Sequence, residues 1–196
     1  MFNRSKYGKL LKIVLIILVI SIIGLIAVVG YRMYNSYYIV TGAAEAVSKF
    51  EQAIQTGSNI TTKYKEFTVI GTIQIPKIDL KYPILQENNT EALETAPVLM
   101  YTAQGLNNVG NSVIAGHNYR NGIMFSNLNK LINGDYIYIT DNTGRNLKYK
   151  VYNIYEQTEN NNDYIIRNTE GKKEITLSTY SNENKAKIII LAREVQ

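Results

Sequence analysis

GTIQIPKIDLKYPIL, Gly71 to Leu85, is the stretch on which the fold turns. Ile73 and Ile75 alternate with Thr72 and Gln74, the period of a strand that buries one face. Pro76 and Pro83 lack the N–H that a sheet ladder needs, so the pattern reads as short strands broken at the prolines.

Upstream the period changes. GAAEAVSKFEQAIQ carries alanines and charges at helical spacing, with Thr41 placed to open a helix and Gly57 to close it. Residues 32–65 are therefore expected to form a helical stalk or linker, and 66–196 a β domain. Further upstream, IVLIILVISIIGLIAVVGY (13–31) has no charged residue. At about 1.5 Å per residue it is about 28 Å long as a helix, close to the hydrocarbon thickness of a bilayer. It reads as an uncleaved transmembrane helix, because a signal peptide would have a shorter apolar region followed by a small-residue cleavage pattern. Arg4, Lys6, Lys9 and Lys12 precede it and only Arg32 follows closely. By the positive-inside bias, residues 1–12 are expected in the cytoplasm, with the β domain on the extracellular face of the cell membrane.

Those four basic residues also account for most of the formal charge of +5, leaving about +1 for the rest of the 196-residue chain. The basicity describes topology and supplies no phosphate-binding footprint, so nucleic acid is not an expected partner. The chain has no cysteine and one histidine. That removes a thiol nucleophile, a disulfide and a thiolate metal site, and neither a metal nor a cofactor is expected.

Downstream, NSVIAGH (111–117) reads as a buried strand ending at Gly116 and His117, and MFSNLNKLINGD (124–135) as a short helix with Phe125, Leu128 and Leu131 on one face. YIYIT and NLKYKVYNIY alternate around the turn Asp141, Asn142, Thr143, Gly144, as a hairpin does. A polar loop, TENNNDYIIRNTEGKK, leads to two last strands, EITLSTY and AKIIILAREV. The fold class is thus mostly β, with short helices. About seven or eight strands are expected to close into a barrel, since closure removes the edges.

His117 alone is a weak signal, because a lone histidine is more often structural. The order of NSVIAGH, FSNLNKLINGDYIYITD, EITLSTY and AKIIILAREV, together with the Gly71 entry and the N-terminal anchor, resembles the sortases, membrane-anchored cysteine transpeptidases. The resemblance runs from Gly71 to Val195. It implies an eight-stranded barrel and a His, Cys, Arg constellation. In that family the cysteine attacks the threonine carbonyl of an LPXTG-like sorting signal, and a cell-wall or pilin amine resolves the thioester. Carried over, the family histidine falls on His117, the cysteine that ends TLxTC on Tyr180, and the arginine that opens the last strand on Lys187. Ala115 and Thr179 would contribute to peptide binding, and residues 156–173 and 181–186 would line the groove. Arg193 shares strand parity with Lys187 but lies six residues on, about 20 Å along a strand, too far to replace the family arginine.

A phenol has an ordinary pKa near 10 and a thiol near 8.5, so Tyr180 is a poor substitute nucleophile. Lys187 keeps the positive charge and loses the planar fork of a guanidinium. Three functions remain open at this point: a catalytically impaired pseudo-sortase that keeps a peptide groove, a working transpeptidase or hydrolase with an unusual nucleophile, and a purely structural extracellular barrel.

Overall fold

A computed structural model describes residues 4–57, 61–158, 160–181 and 186–195. Two compact units divide the chain, Met1–Ile39 and Val40–Gln196.

The first unit is helical. Helix α1 runs from Arg4 to Gln55 without a break, so Thr41 lies inside a helix and does not begin one. Continuous i to i−4 bonding satisfies the backbone through that point, and no cap is required. Every residue from 13 to 31 is exposed. Length and apolar composition make this helix able to cross a membrane.

In the second unit α1 contributes Ala43, Ala46, Val47 and Phe50, all buried and spaced as one helical face. Gly42 allows a close approach there: a Cβ would stand 2.9 Å from the Tyr64 hydroxyl oxygen. Lys81 pairs with Glu51 at 2.8 Å, tying the helix to the sheet.

Nine strands follow among the described residues. They are β1 (Lys63–Tyr64), β2 (Phe67–Ile75), β3 (Leu80–Leu85), β4 (Val98–Thr102), β5 (Gly110–Ala115), β6 (Tyr136–Asp141), β7 (Asn146–Thr158), β8 (Lys173–Tyr180) and β9 (Ala186–Glu194). Their order is β1-β2-β3-β4-β5-β8-β9-β7-β6, and pairing of β2 with β6 closes the eight strands β2 to β9 into the expected barrel. The two-residue β1 hangs on the start of β2. Short helix α2 (Thr90–Thr95) is capped by the Asn89 side chain, which accepts from Ala92 N–H. The helix expected after His117 is a single 3-10 segment, Phe125–Lys130, and its Phe125 and Leu128, with Leu131 beyond, are buried as the pattern required.

Pro83 does not break β3 but lies within it. Only Leu85 of β3 pairs with β4, so the missing Pro83 donor falls where the strand has no ladder partner on that side.

Most neighbouring strands are antiparallel, while β3–β4 and β5–β8 are parallel. The parallel β5–β8 pair positions the site, because it brings the carboxyl ends of both strands to one end of the barrel. Since β9 runs antiparallel to β8, its first residues arrive at the same end. Side chains then sort by parity. Ile114, Leu177 and Ile190 share one register row and are fully buried in the core. The neighbouring row, Val113, Thr176 and Leu191, points to the opposite face of the sheet.

Candidate functional site

His117 follows β5 after Gly116. Beyond the last paired residues, Ala115 and Ser178, two more steps of the parallel register set His117 beside Tyr180. Hydrogen bonds continue the pairing past the strand end. Gly116 N–H donates to Ser178 O at 3.1 Å, the Thr179 hydroxyl donates to Gly116 O at 2.7 Å, and Asn118 Nδ2 donates to Tyr180 O at 2.9 Å. On the other side Tyr180 pairs directly with Lys187 across β8–β9. The three positions singled out in the sequence are therefore consecutive neighbours on three adjacent strands, at one end of the barrel.

Gly116 has a steric reason. A Cβ there would stand 2.5 Å from two atoms of the Phe125 ring, which is fully buried. Phe125 N–H in turn donates to His117 O at 3.2 Å, so the 3-10 segment and the strand end are locked together. The intervening loop contains three residues at positive φ, Arg120, Gly122 and Met124. Met124 N–H donates to the Tyr82 hydroxyl oxygen, which helps hold that turn.

The His117 ring lies against the Tyr119 ring, centroids 4.2 Å apart and tilted by 41°. The Tyr119 hydroxyl donates to Glu94 O of α2 at 2.8 Å, so this aromatic support is anchored on a second element. Burial, then the nearby Glu94 and Tyr82, pushes the Tyr119 phenol above its usual range. Tyr119 and Asn118 were not singled out in the sequence, although they follow His117 immediately.

Tyr180 is 40% exposed, whereas Thr179 is 4% exposed with its hydroxyl engaged by Gly116 O. Ala115 is half-buried on the same parity as His117. Lys187 Nζ donates to Asn162 Oδ1 at 3.1 Å and stands 5.7 Å from the centre of the Tyr164 ring. Arg193 is held elsewhere. It pairs with the buried Glu174 at 2.6 Å, on the register row where Glu174 meets Arg193, away from the row of Lys187. Among the described residues no three of His, Cys, Asp and Glu cluster as a metal site would require. A cavity of about 640 Å³ lies between the end of α1 and β2, lined by Phe50, Ile54, Thr62, Val69 and Gln86, and shares no residue with the His117 end.

What this arrangement offers is a histidine and a cation flanking a half-exposed phenol at the end of a hydrogen-bonded sheet. A covalent acyl transfer needs a nucleophile at the middle position, and a tyrosine is a weak one near neutral pH.

Residues 73–195 match the family model described as "Sortase domain". Sortase A of Bacillus anthracis is 34% identical over 112 residues, 57% of this chain and 51% of that protein. The chain spans about half the length of the curated relatives it matches. Among solved structures, a Clostridium perfringens Sortase D5 transpeptidase superposes with a TM-score of 0.63 at 26% identity, covering 80% of this chain and 97% of that one. The pilus-related Sortase C of Group B Streptococcus gives 0.60 at 26% identity, covering 65% and 68%.

Proposed function

The chain belongs to the sortase family of cell-surface transpeptidases, and from that premise we propose that it is a catalytically impaired member, retaining a groove for a sorting-signal-like peptide. One observation carries the reading. The position between His117 and Lys187 is a tyrosine, in a chain with no cysteine.

The scaffold around that position supports a binding role. Hydrogen bonds from Thr179 and Asn118 hold β5 and β8 in register beyond their last paired residues, and Tyr119 braces the imidazole. An extended peptide laid along this end of the sheet would meet an imidazole, an ammonium and an exposed phenol, all groups that hydrogen-bond to peptide carbonyls. We further propose that α1 anchors the protein as a single-pass helix with its N-terminus in the cytoplasm, so that the groove faces the cell exterior. The ligand by this reading is an LPXTG-like peptide, and cell-wall or pilin amines are the acceptors that the active relatives' chemistry implies.

Intact-mass spectrometry after incubation with LPXTG-like peptides tests the reading. The expected result is an unmodified protein and uncleaved peptide, with saturable binding by fluorescence anisotropy. A mass shift mapped to Tyr180 would establish instead an enzyme with an unusual nucleophile.

A further inference from the structure

On β6 and β7, Ile137, Ile139, Tyr149 and Val151 point into the core, so Tyr136, Tyr138, Lys148 and Lys150 point outward. Tyr136 faces Lys150 and Tyr138 faces Lys148 across β6–β7, and Lys150 faces Arg193 across β7–β9. Lys148 Nζ stands 3.8 Å from the centre of the Tyr136 ring, and the Arg193 guanidinium 5.0 Å from that of the Tyr152 ring. Phenol rings and cations thus alternate over one strip of the barrel wall. Solvent reaches it: Tyr136 is 38% exposed, Tyr152 is 37% exposed, and Lys150 is exposed.

Charge is segregated on this strip. Of the 21 basic residues five precede residue 40, which leaves 16 against 16 acidic residues, all of them beyond it. A unit that is neutral as a whole therefore gathers Lys148, Lys150, Arg167 and Arg193 around a single carboxylate, Glu174. Glu174 is buried and already engaged by both arginines, and the Arg167 guanidinium also donates to the Tyr152 hydroxyl. Among the described ion pairs neither Lys148 nor Lys150 has a carboxylate partner. Four cations against one carboxylate leave three positive charges uncompensated.

The spacing decides what kind of anion fits. Lys148 and Lys150 are about 6.8 Å apart along β7, and Arg193 lies one strand over from Lys150, about 4.8 Å away. A solitary anion meets one or two of these cations, whereas a chain with a repeating charge meets them all. Ammonium and guanidinium groups donate well to phosphate oxygens, and the phenol faces offer contact to the C–H groups of sugars or polyols. A patch that docks on a bilayer buries projecting leucine, phenylalanine or tryptophan, and the apolar surface of this strip consists of tyrosine rings.

We propose that this strip binds an anionic polymer of sugar or polyol units joined by phosphodiesters. Lys148, Lys150 and Arg193 take the phosphates, and Tyr136 and Tyr152 lie against the carbon skeleton. The strip shares no residue with His117, Tyr180 or Lys187, so the polymer holds the barrel without entering the candidate site.

Titration of the full chain, in a zwitterionic detergent, into fluorescently labelled poly(glycerol phosphate) tests this by anisotropy. The wild-type chain is expected to bind, with log affinity falling linearly against log salt as counterions are released. Lys148→Gln with Lys150→Gln is expected to weaken binding about tenfold at low salt and to reduce the salt slope by about 1.5. Tyr136→Leu removes the ring and keeps the charge, so affinity should fall several-fold with the slope unchanged. Arg4, Lys6, Lys9 and Lys12 are the same in every variant, so the differences read the strip alone. Should the double variant fail to fold, Lys150→Gln at an exposed position is expected to give about half its change in slope. No binding by the wild type, or lysine variants that bind as it does, would overturn the strip as a site. Equal affinity for polyglutamate, with Tyr136→Leu matching the wild type, would overturn the polyol phosphate as its ligand. Tighter lysine-dependent binding to anionic-lipid nanodiscs than to the polymer would also overturn it, and would assign the strip to a membrane surface.

Discussion

Tyr180 and Lys187 face one another across the β8–β9 pair, on the row that the parallel β5–β8 register extends to His117. Two residues far apart in type from a nucleophile and a fork of donors thus occupy adjoining places on one sheet face. Their adjacency is a consequence of topology: a parallel pair and an antiparallel pair share β8, so the ends of β5 and β8 and the start of β9 coincide.

The Gly116–Phe125 contact predicts an overpacking defect. Gly116→Ala would drive a methyl into a fully buried ring whose backbone is tied to His117. A loss of about 1–3 kcal/mol is expected in denaturant unfolding, with a clear change in the imidazole resonances. Because the chain has one histidine, those resonances need no assignment. Unchanged stability and an unchanged imidazole signal would show that the Phe125 ring is free to yield.

The Glu174 cluster should be the most sensitive charged group in the barrel. Its side chain is 1% exposed, and it answers both Arg167 and Arg193. Replacing it by alanine leaves Arg167 half-buried without its counter-charge, so Glu174→Ala is expected to lose about 3 kcal/mol in chemical denaturation. Arg193→Ala should lose less, since its side chain is 40% exposed against 19% for Arg167. The reverse ranking would mean that the exposed arginine dominates the cluster.

Tyrosine burial sets the alkaline limit of stability. Burial raises the phenols of Tyr82, Tyr119, Tyr149, Tyr152 and Tyr155 above the usual value. The unfolded chain ionises these groups near pH 10, before the folded one does, and so binds fewer protons there. Stability is thus fully present below about pH 10 and falls as pH rises toward the folded values. Tyr149→Phe should flatten that fall in a melting-temperature series from pH 8 to 11.5. An identical slope in wild type and variant would remove Tyr149 from the cause.

Much of this architecture is legible in the sequence because alternating strands advertise themselves. Ile73 and Ile75, the hairpin around Asp141 to Gly144, and the strands ending at His117 and Tyr180 all lie where the pattern puts them. Strand β4 was missed, since Leu99 to Thr102 are all half-buried and carry no period. The packing of residues 43–50 was hidden by small side chains. Alanines read as a solvated stalk, yet a stripe of them beside Gly42 is what a close helix-to-sheet approach needs. In the candidate site His117, Tyr180 and Lys187 were picked out by the resemblance to the sortases, whereas Asn162 and Tyr164 were not named individually. They sit in an asparagine-rich loop whose composition says solvent; the resemblance placed the loop along the groove, and the fold shows which of its side chains meet the sheet.

Topology across the membrane can be read with protease. If residues 13–31 span the bilayer with the N-terminus inside, protease added to intact cells should remove the barrel and leave a fragment containing the start of α1. Full protection in intact cells, with digestion only after lysis, would reverse the orientation.

Restoring the family's residues is the sharpest test of whether the site is a dormant transpeptidase centre. Tyr180→Cys with Lys187→Arg returns a nucleophile with a lower intrinsic pKa and a planar fork of donors to positions already adjacent on the sheet. Cleavage of an LPXTG-like peptide is expected from the double variant. Tyr180→Cys alone should be slower by about two to three orders of magnitude, the usual worth of a donor aimed at an oxyanion. The control is the double variant carrying His117→Ala. A folded double variant that cleaves nothing, or one whose cleavage survives the loss of His117, would mean that the three positions share a sheet edge without forming a reaction centre, and the barrel would then be structural.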